Sequence, residues 1–224
     1  MEPWRNEDMT QQPADPASGA GTLFIVSAPS GAGKTSLISA LVQSDPGVAV
    51  SVSHTTRRPR PGEVDGREYH FVDEQTFRRM AAAGEFLEHA RVFDHFYGTS
   101  RAAVAVRLAR GTDVLLEIDW QGSRQIRALE PAAVAIFLLP PSLDALRQRL
   151  EGRALDDRAT IERRMRGALN EVSHYNEYDF LVVNDEFTHA LEELRAIVRA
   201  QRLRVRNQVI RHRTLIENLA RSRP

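Results

Sequence analysis

The sequence predicts an α/β fold in which a parallel sheet of about five strands lies between two layers of helices. Three observations predict it. Five short apolar runs, each suited in length to a buried strand, alternate with longer segments of helical spacing. The first run and the first helix are joined by a glycine-rich loop, Ser27-Ala28-Pro29-Ser30-Gly31-Ala32-Gly33-Lys34-Thr35-Ser36. The 224 residues are ample for a core, and they include no cysteine, so no disulfide framework or thiolate metal site is expected.

Thr22 to Val26 is the first strand, apolar throughout as a strand buried on both faces should be. After the loop, Leu37, Ile38, Leu41 and Val42 share one face of a helix that begins near Gly33. Strand, loop and helix in that order are the context in which such a loop binds phosphate. Gly31 and Gly33 let backbone N–H groups turn toward an anion, the helix start adds its positive end, and Lys34 can reach the outer phosphates. Thr35 offers a hydroxyl to Mg²⁺. The loop departs from the G-x-x-x-x-G-K-S/T pattern at its first glycine, here Ala28, so its entrance must adopt a conformation that a methyl-bearing residue tolerates. Of the 30 Lys and Arg residues, 29 are Arg, and the one lysine is Lys34. A chain so biased toward arginine keeps a compact ammonium where a planar guanidinium would not fit a phosphate cradle.

Val48 to Ser53 reads as the second strand, and the pattern then changes at His54-Thr55-Thr56-Arg57-Arg58-Pro59-Arg60-Pro61-Gly62, where prolines bar a helix. Three arginines beside a phosphate loop fit a second phosphate site through bidentate forks, or equally a solvated basic loop. Tyr69 to Val72 is a short strand and Asp73 to Ala83 a helix, followed by Phe86-Leu87-Glu88-His89 and Tyr97-Gly98-Thr99-Ser100. Two tyrosines and a carboxylate this close to the arginines could hold a phosphate, a sugar and a base edge; alternatively the tyrosines are packing aromatics.

Arg101 to Arg110 has helical spacing and Gly111 ends it. In the next strand, Asp113 to Asp119, a period of two places Glu117 and Asp119 on one side. Ligands of an open parallel sheet lie beyond the carboxyl ends of its strands, so these acids should face the loop and could hold Mg²⁺, or else cap the helix from Gln121 to Leu129. Val134 to Leu139 is the fourth core strand, stopped by Pro140-Pro141, and Ser142 caps a helix bearing Leu143, Leu146 and Leu150. Arg147, Arg149 and Arg153, a turn at Asp156-Asp157, and a helix with Arg163, Arg164 and Arg166 resemble two arms of a lid. Phe180 to Val183 is the last strand, with Asn184 and Asp185 at its end, and a long helix from Phe187 to beyond Arg206 closes the domain.

The 30 acids balance the 30 bases, so nothing general favours nucleic acid or an anionic membrane, and no apolar run approaches a membrane span. Residues 1–20 lack the regions of a signal peptide and read as a disordered extension, which makes the protein an expected cytoplasmic one. His95, His189 and His212 have no metal-ligand spacing.

From about Gly21 to Arg206 the chain resembles the bacterial guanylate kinases, nucleoside monophosphate kinases that move a phosphoryl group from ATP to GMP. The resemblance is carried by Ser51-Val52-Ser53-His54-Thr55-Thr56-Arg57 with Arg60 and Gly62-Glu63-Val64, by Tyr97-Gly98-Thr99, by Ile118-Asp119-Trp120-Gln121-Gly122 and by Val183-Asn184-Asp185. It implies a P-loop kinase core at 21–53, 101–144 and 161–210, a GMP-binding segment at 54–100, a helical lid at 145–160 and a tail at 211–224. It further implies that Ala28 to Thr35 with Asn184 receive ATP, that Ser53, Arg57, Arg60, Tyr69 and Tyr97 hold the GMP phosphate, and that Glu88 and Thr99 read the guanine edge. Lys34, Arg149, Arg153 and Arg164 would act on the transferred group. Mg²⁺ would sit at Thr35, Glu117 and Asp119. The implied partners are the two small-molecule substrates, without nucleic acid or membrane and with a homo-oligomer left open. Glu117 stands where the family usually has Asp, and Ala154 where Gly usually follows the lid arginine.

Overall fold

The computed structural model describes residues 21–92, 94–152 and 158–221, except the side chains of 158 and 159. The expected extension at 1–20, Arg153, Ala154 and the turn at Asp156-Asp157 therefore lie outside the described residues.

Five strands, β1 (Leu23–Ser27), β2 (Val48–Val50), β7 (Asp113–Glu117), β8 (Val134–Leu139) and β9 (Phe180–Val183), form one all-parallel sheet in the order β2-β7-β1-β8-β9. Its central strands carry β-branched and aromatic residues on both faces because helices cover both. On one face Phe24, Val26, Leu115 and Leu138 pack with Leu37, Ile38 and Leu41 of α1 (Lys34–Ser44) and with Leu194 and Val198 of α7 (Phe187–Arg202). On the other, Ile25, Val114 and Leu116 pack with Val104 of α3 (Arg101–Ala109) and Ile126 of α4 (Trp120–Leu129). At the sheet's amino end Asp113 accepts from the Thr22 amide and from Arg202, whose other nitrogens bind Asp45, so α7, α1 and two strands are tied by one guanidinium.

A second sheet, absent from the sequence reading as a unit, has the order β4-β3-β6-β5, from β3 (His54–Thr55), β4 (His70–Phe71), β5 (Phe86–Val92) and β6 (His95–Ser100). Tyr97-Gly98-Thr99 lies in β6, paired antiparallel to β5 and β3. Helix α2 (Glu74–Ala82), capped by Asp73, covers this sheet with Phe77, whose ring stacks on Phe86 and Phe96 at 4.6 and 5.5 Å. Glycine at position 98 leaves room for the aromatic core, since a Cβ there would stand 3.0 Å from the Phe86 ring and 3.1 Å from Phe77.

Other boundaries differ from expectation. The second strand ends at Val50, and Ser51 to Ser53 only bridges the two sheets. The fourth core strand's predecessor, β7, stops at Glu117, and Asp119 caps α4. The single long terminal helix is three: α7 ends at Arg202, α8 covers Val205–Arg211 and α9 covers Arg213–Arg221. Helix α5 (Leu143–Glu151) packs Leu146 and Leu150, both fully buried, against Met165 and Ala168 of α6 (Arg158–Val172).

Candidate active site

The loop between β1 and α1 is set by two glycines with positive φ, Gly31 at 95° and Gly33 at 92°, a conformation that side chains oppose. Gly33 is the N-cap, so α1 starts at Lys34 and its open amide end faces the loop. Gly31 also admits a neighbour: a Cβ there would stand 3.1 Å from Leu146 and 3.2 Å from Leu150, so the α5 core lies directly against the loop. Ala28 is buried, and its methyl is accommodated. Asn184, buried at the end of β9, donates from Nδ2 to the Ala32 carbonyl at 2.7 Å. Arg149 of α5 donates to the Ala32 and Asn184 carbonyls at 3.4 and 3.2 Å. Loop, β9 terminus and α5 are therefore one hydrogen-bonded unit. Arg164 lies on α6 and is half-buried.

A cavity of about 330 Å³ opens from this loop toward the second sheet. Gly33, Lys34 and Thr35 line one side; Ser53, Tyr69, Glu88 and Tyr97 line another; Glu117, Asp119 and Glu171 also face it. Arg57 and Arg60 do not line it. Arg57 donates to Glu63 at 2.8 Å and lies over the Tyr69 ring at 5.3 Å, its protonation reinforced chiefly by the Glu63 hydrogen bond. The Arg60 amide donates to the other Glu63 oxygen at 2.7 Å, while its side chain is exposed. Tyr69 and Tyr97 meet edge to face, 5.9 Å apart.

Glu88 is the most enclosed acid of the cavity at 4 % exposure. Thr99 donates to it at 2.6 Å, and the Ser53 hydroxyl stands 3.4 Å from that of Thr99, so three side chains form a chain of hydroxyls ending on a carboxyl. Burial, aided by the charge of Asp119 and opposed by the Thr99 bond, pushes the Glu88 carboxyl up to about 7. Gly122 makes the room: a Cβ there would lie 2.7 Å from the Glu88 Oε2.

The two acids at the end of β7 separate in role. Asp119 Oδ1 accepts from the Gly122 amide and Oδ2 from Gln121, both at 3.0 Å, which is an N-cap. Glu117 accepts from the Thr35 hydroxyl at 3.3 Å. A hydroxyl and a carboxylate side by side at a phosphate loop are the hard oxygen donors that Mg²⁺ takes together with substrate phosphates and waters, so these residues fit that ion. Among the described residues no group of three His, Asp or Glu could hold a metal unaided.

Sequence reasoning missed Glu171, which faces the cavity from the last turn of α6. The only signal was its spacing of seven from Arg164, two helical turns on nearly the same face.

A phosphate loop at the carboxyl end of a parallel sheet, opposed across a cavity by a polar wall with a buried carboxyl, is the arrangement of a P-loop phosphotransferase acting on nucleotides. The guanylate kinase family model matches residues 20–201. The chain is 58% identical over 207 residues to a guanylate kinase of Chromohalobacter salexigens, covering 92% of this chain and 96% of that one. It is 59% identical over 191 residues to one from Hahella chejuensis, covering 85% and 92%. The crystal structure of guanylate kinase from Anaplasma phagocytophilum superposes with a TM-score of 0.72 at 33% identity, covering 85% of this chain and 90% of that one. The chain belongs to the guanylate kinase family and is a phosphotransferase. No helix among the described residues is long and apolar enough to cross a membrane.

Proposed function

We infer that this chain carries out the reaction of its family, ATP + GMP → ADP + GDP, by direct in-line transfer of the γ-phosphoryl group. The observation that carries this reading is the buried Glu88–Thr99–Ser53 chain facing the phosphate loop across one cavity. ATP phosphates lie on the amides of the Ala28–Thr35 loop with Lys34 at the outer oxygens; Asn184 holds the loop from beneath and thereby serves ATP. Thr35 and Glu117 would hold Mg²⁺, which when bound would supply positive charge to offset that of the phosphates. Asp119 acts at one remove, by fixing α4 and the glycine that admits Glu88.

GMP enters from the second sheet. Its phosphate is received by Ser53, Arg57, Arg60, Tyr69 and Tyr97 once Arg57 exchanges Glu63 for phosphate, a comparable charge-assisted bond. Its base presents N1–H and the 2-amino group to Glu88 as adjacent donors. Arg149, Arg153 and Arg164 balance the charge spread over the transferred group, and no covalent intermediate on the protein is needed. Closure of 54–100 and 145–160 over the core excludes water as an acceptor. The compartment that supplies both substrates is the cytoplasm.

A coupled assay with ATP and each of GMP, AMP, CMP and UMP tests the reading. GMP alone should give rapid turnover; turnover with another acceptor in its place would assign a different monophosphate kinase, and none at all would leave a nucleotide-binding module.

A further inference from the structure

Glu88 reaches the cavity through an irregularity in its strand. Along β5 and β6 the pairs Ala90–Tyr97, His89–Gly98 and Glu88–Thr99 advance one residue at a time, and the next pair is Phe86–Ser100. Leu87 is therefore an extra residue, a β-bulge, and it is buried with Leu23, Val104 and Ile126 in the core of the main sheet. In unbroken register from Phe86–Ser100, Glu88 would stand opposite Gly98 and share its face. That face is the aromatic one, directed at Phe86 and Phe77. The bulge turns the carboxyl to the other face, where Thr99 bonds it and where Ala90, Val92 and Tyr97 line the cavity. Bulges redirect side chains in this way, at the expense of a residue left out of the ladder.

The bulged strand is also the edge of its sheet, with no further strand beside it. A helix takes that place. Gln125 of α4 donates from Nε2 to the His89 carbonyl at 2.8 Å and accepts from the His89 amide at 3.2 Å, so its carboxamide pairs with both backbone groups as an adjacent strand would. His89 directly follows Glu88. Gly122, which gives the carboxyl its room, lies three residues before Gln125 on the same side of α4. Gln125 does not line the cavity, so its influence on a ligand there passes through Glu88. Without its two bonds β5 can slip toward the register that has no bulge, which carries Glu88 away from the cavity face.

We propose that Gln125 is a positioning residue for acceptor specificity: its two hydrogen bonds to His89 pin the bulged register of β5 to α4 and so hold Glu88 on the face where it meets guanine. The role rests on the reading of Glu88 given above.

The test is steady-state kinetics of the full chain with ATP and each of GMP and AMP. Gln125→Met keeps the length of the side chain and removes both hydrogen bonds. KM for GMP should rise about tenfold, with kcat and the KM for ATP within about twofold of wild type, since the base is gripped equally before and during transfer. The preference for GMP over AMP in kcat/KM should fall about tenfold, because AMP gains nothing from Glu88. In a Glu88→Gln background the same substitution should leave the preference unmoved, which general loosening of the fold would not do. A GMP KM within about twofold of wild type, an equal rise in the KM for ATP, or an equal loss of preference in the Glu88→Gln background overturns the proposal. Failure of the kinase reading is separate: it would appear in wild type as no preference for GMP, or in Glu88→Gln alone as an unchanged one, and either result overturns the proposal as well.

Discussion

The two sides of the cavity are built by different physics. The phosphate-loop side is held by burial: α1 turns Leu37, Ile38 and Leu41 into the core, α5 presses Leu146 and Leu150 on Gly31, and Asn184 bonds the loop from below. The second sheet has two strands of only two residues and an aromatic core of Phe77, Phe86 and Phe96; its other arrangements are polar pairs such as Arg57–Glu63. A packed core deforms at a high cost, whereas the Arg57–Glu63 pair, though largely shielded from solvent, can exchange its carboxylate for a phosphate with a comparable charge-assisted bond. The donor cradle is preformed, and the acceptor side can rearrange around what it binds.

The largest effect should come from the rigid side. Lys34→Ala should lower turnover by about a thousandfold or more while GMP affinity stays within about twofold, because the charge is lost at the donor phosphates alone. Lys34→Arg should fail nearly as badly, since the packed loop cannot widen for a guanidinium. Near-normal turnover of Lys34→Arg would erase the contrast between the two sides.

Next in size is the acceptor pocket. Glu88→Gln should reduce the preference for GMP over AMP, in kcat/KM, by roughly a hundredfold, mainly through loss of GMP activity. The pH dependence sharpens this. Guanine donors need the ionised carboxylate, so GMP binding should expel the Glu88 proton and tighten as pH rises through about 7. Folding stability should run the other way: the raised carboxyl favours the folded state below the ordinary value of 4.5, and this contribution is lost as pH rises toward about 7. Melting curves of wild type and Glu88→Gln should therefore diverge with pH over that window. An unchanged GMP/AMP ratio would mean that guanine is read elsewhere.

A smaller signal tests movement directly. Small-angle scattering with ADP and GMP together should show a reduced radius of gyration, as Arg57 leaves Glu63 and the second sheet swings over the loop. No change would make both sides equally preformed. Least of all, Asn184→Ala should weaken ATP severalfold and leave GMP untouched, because it removes one buried hydrogen bond under the loop, worth about 1 kcal/mol net.

The same division decided what could be read from the sequence. All five core strands were legible, since strands buried on both faces announce themselves as apolar runs, and the phosphate loop by its glycines and its lysine. The second sheet was not legible as a sheet: His54–Thr55 and His70–Phe71 are too short to show a period, and their pairing spans from His54 to Gly98. Asp119 and Glu117 looked alike by period two; only the geometry of α4 shows one to be a cap and the other a neighbour of Thr35. Glu171 was hidden because only the packing of α6 against α5 brings it to the cavity, far along the chain from the phosphate loop.

The solitary lysine has a practical corollary. A protease that cleaves after lysine has one target in this chain, the Lys34–Thr35 bond, and that bond opens α1 within the phosphate loop. Cleavage needs an extended segment, so the bond is cut only from molecules in which the loop and the first turn of α1 have come undone. The loss of the intact band as the two fragments appear is then a clock for local opening of the catalytic loop, with no label added and no other cut to confuse it. Its rate with and without nucleotide would measure how firmly the donor cradle is closed, apart from any motion of the acceptor side.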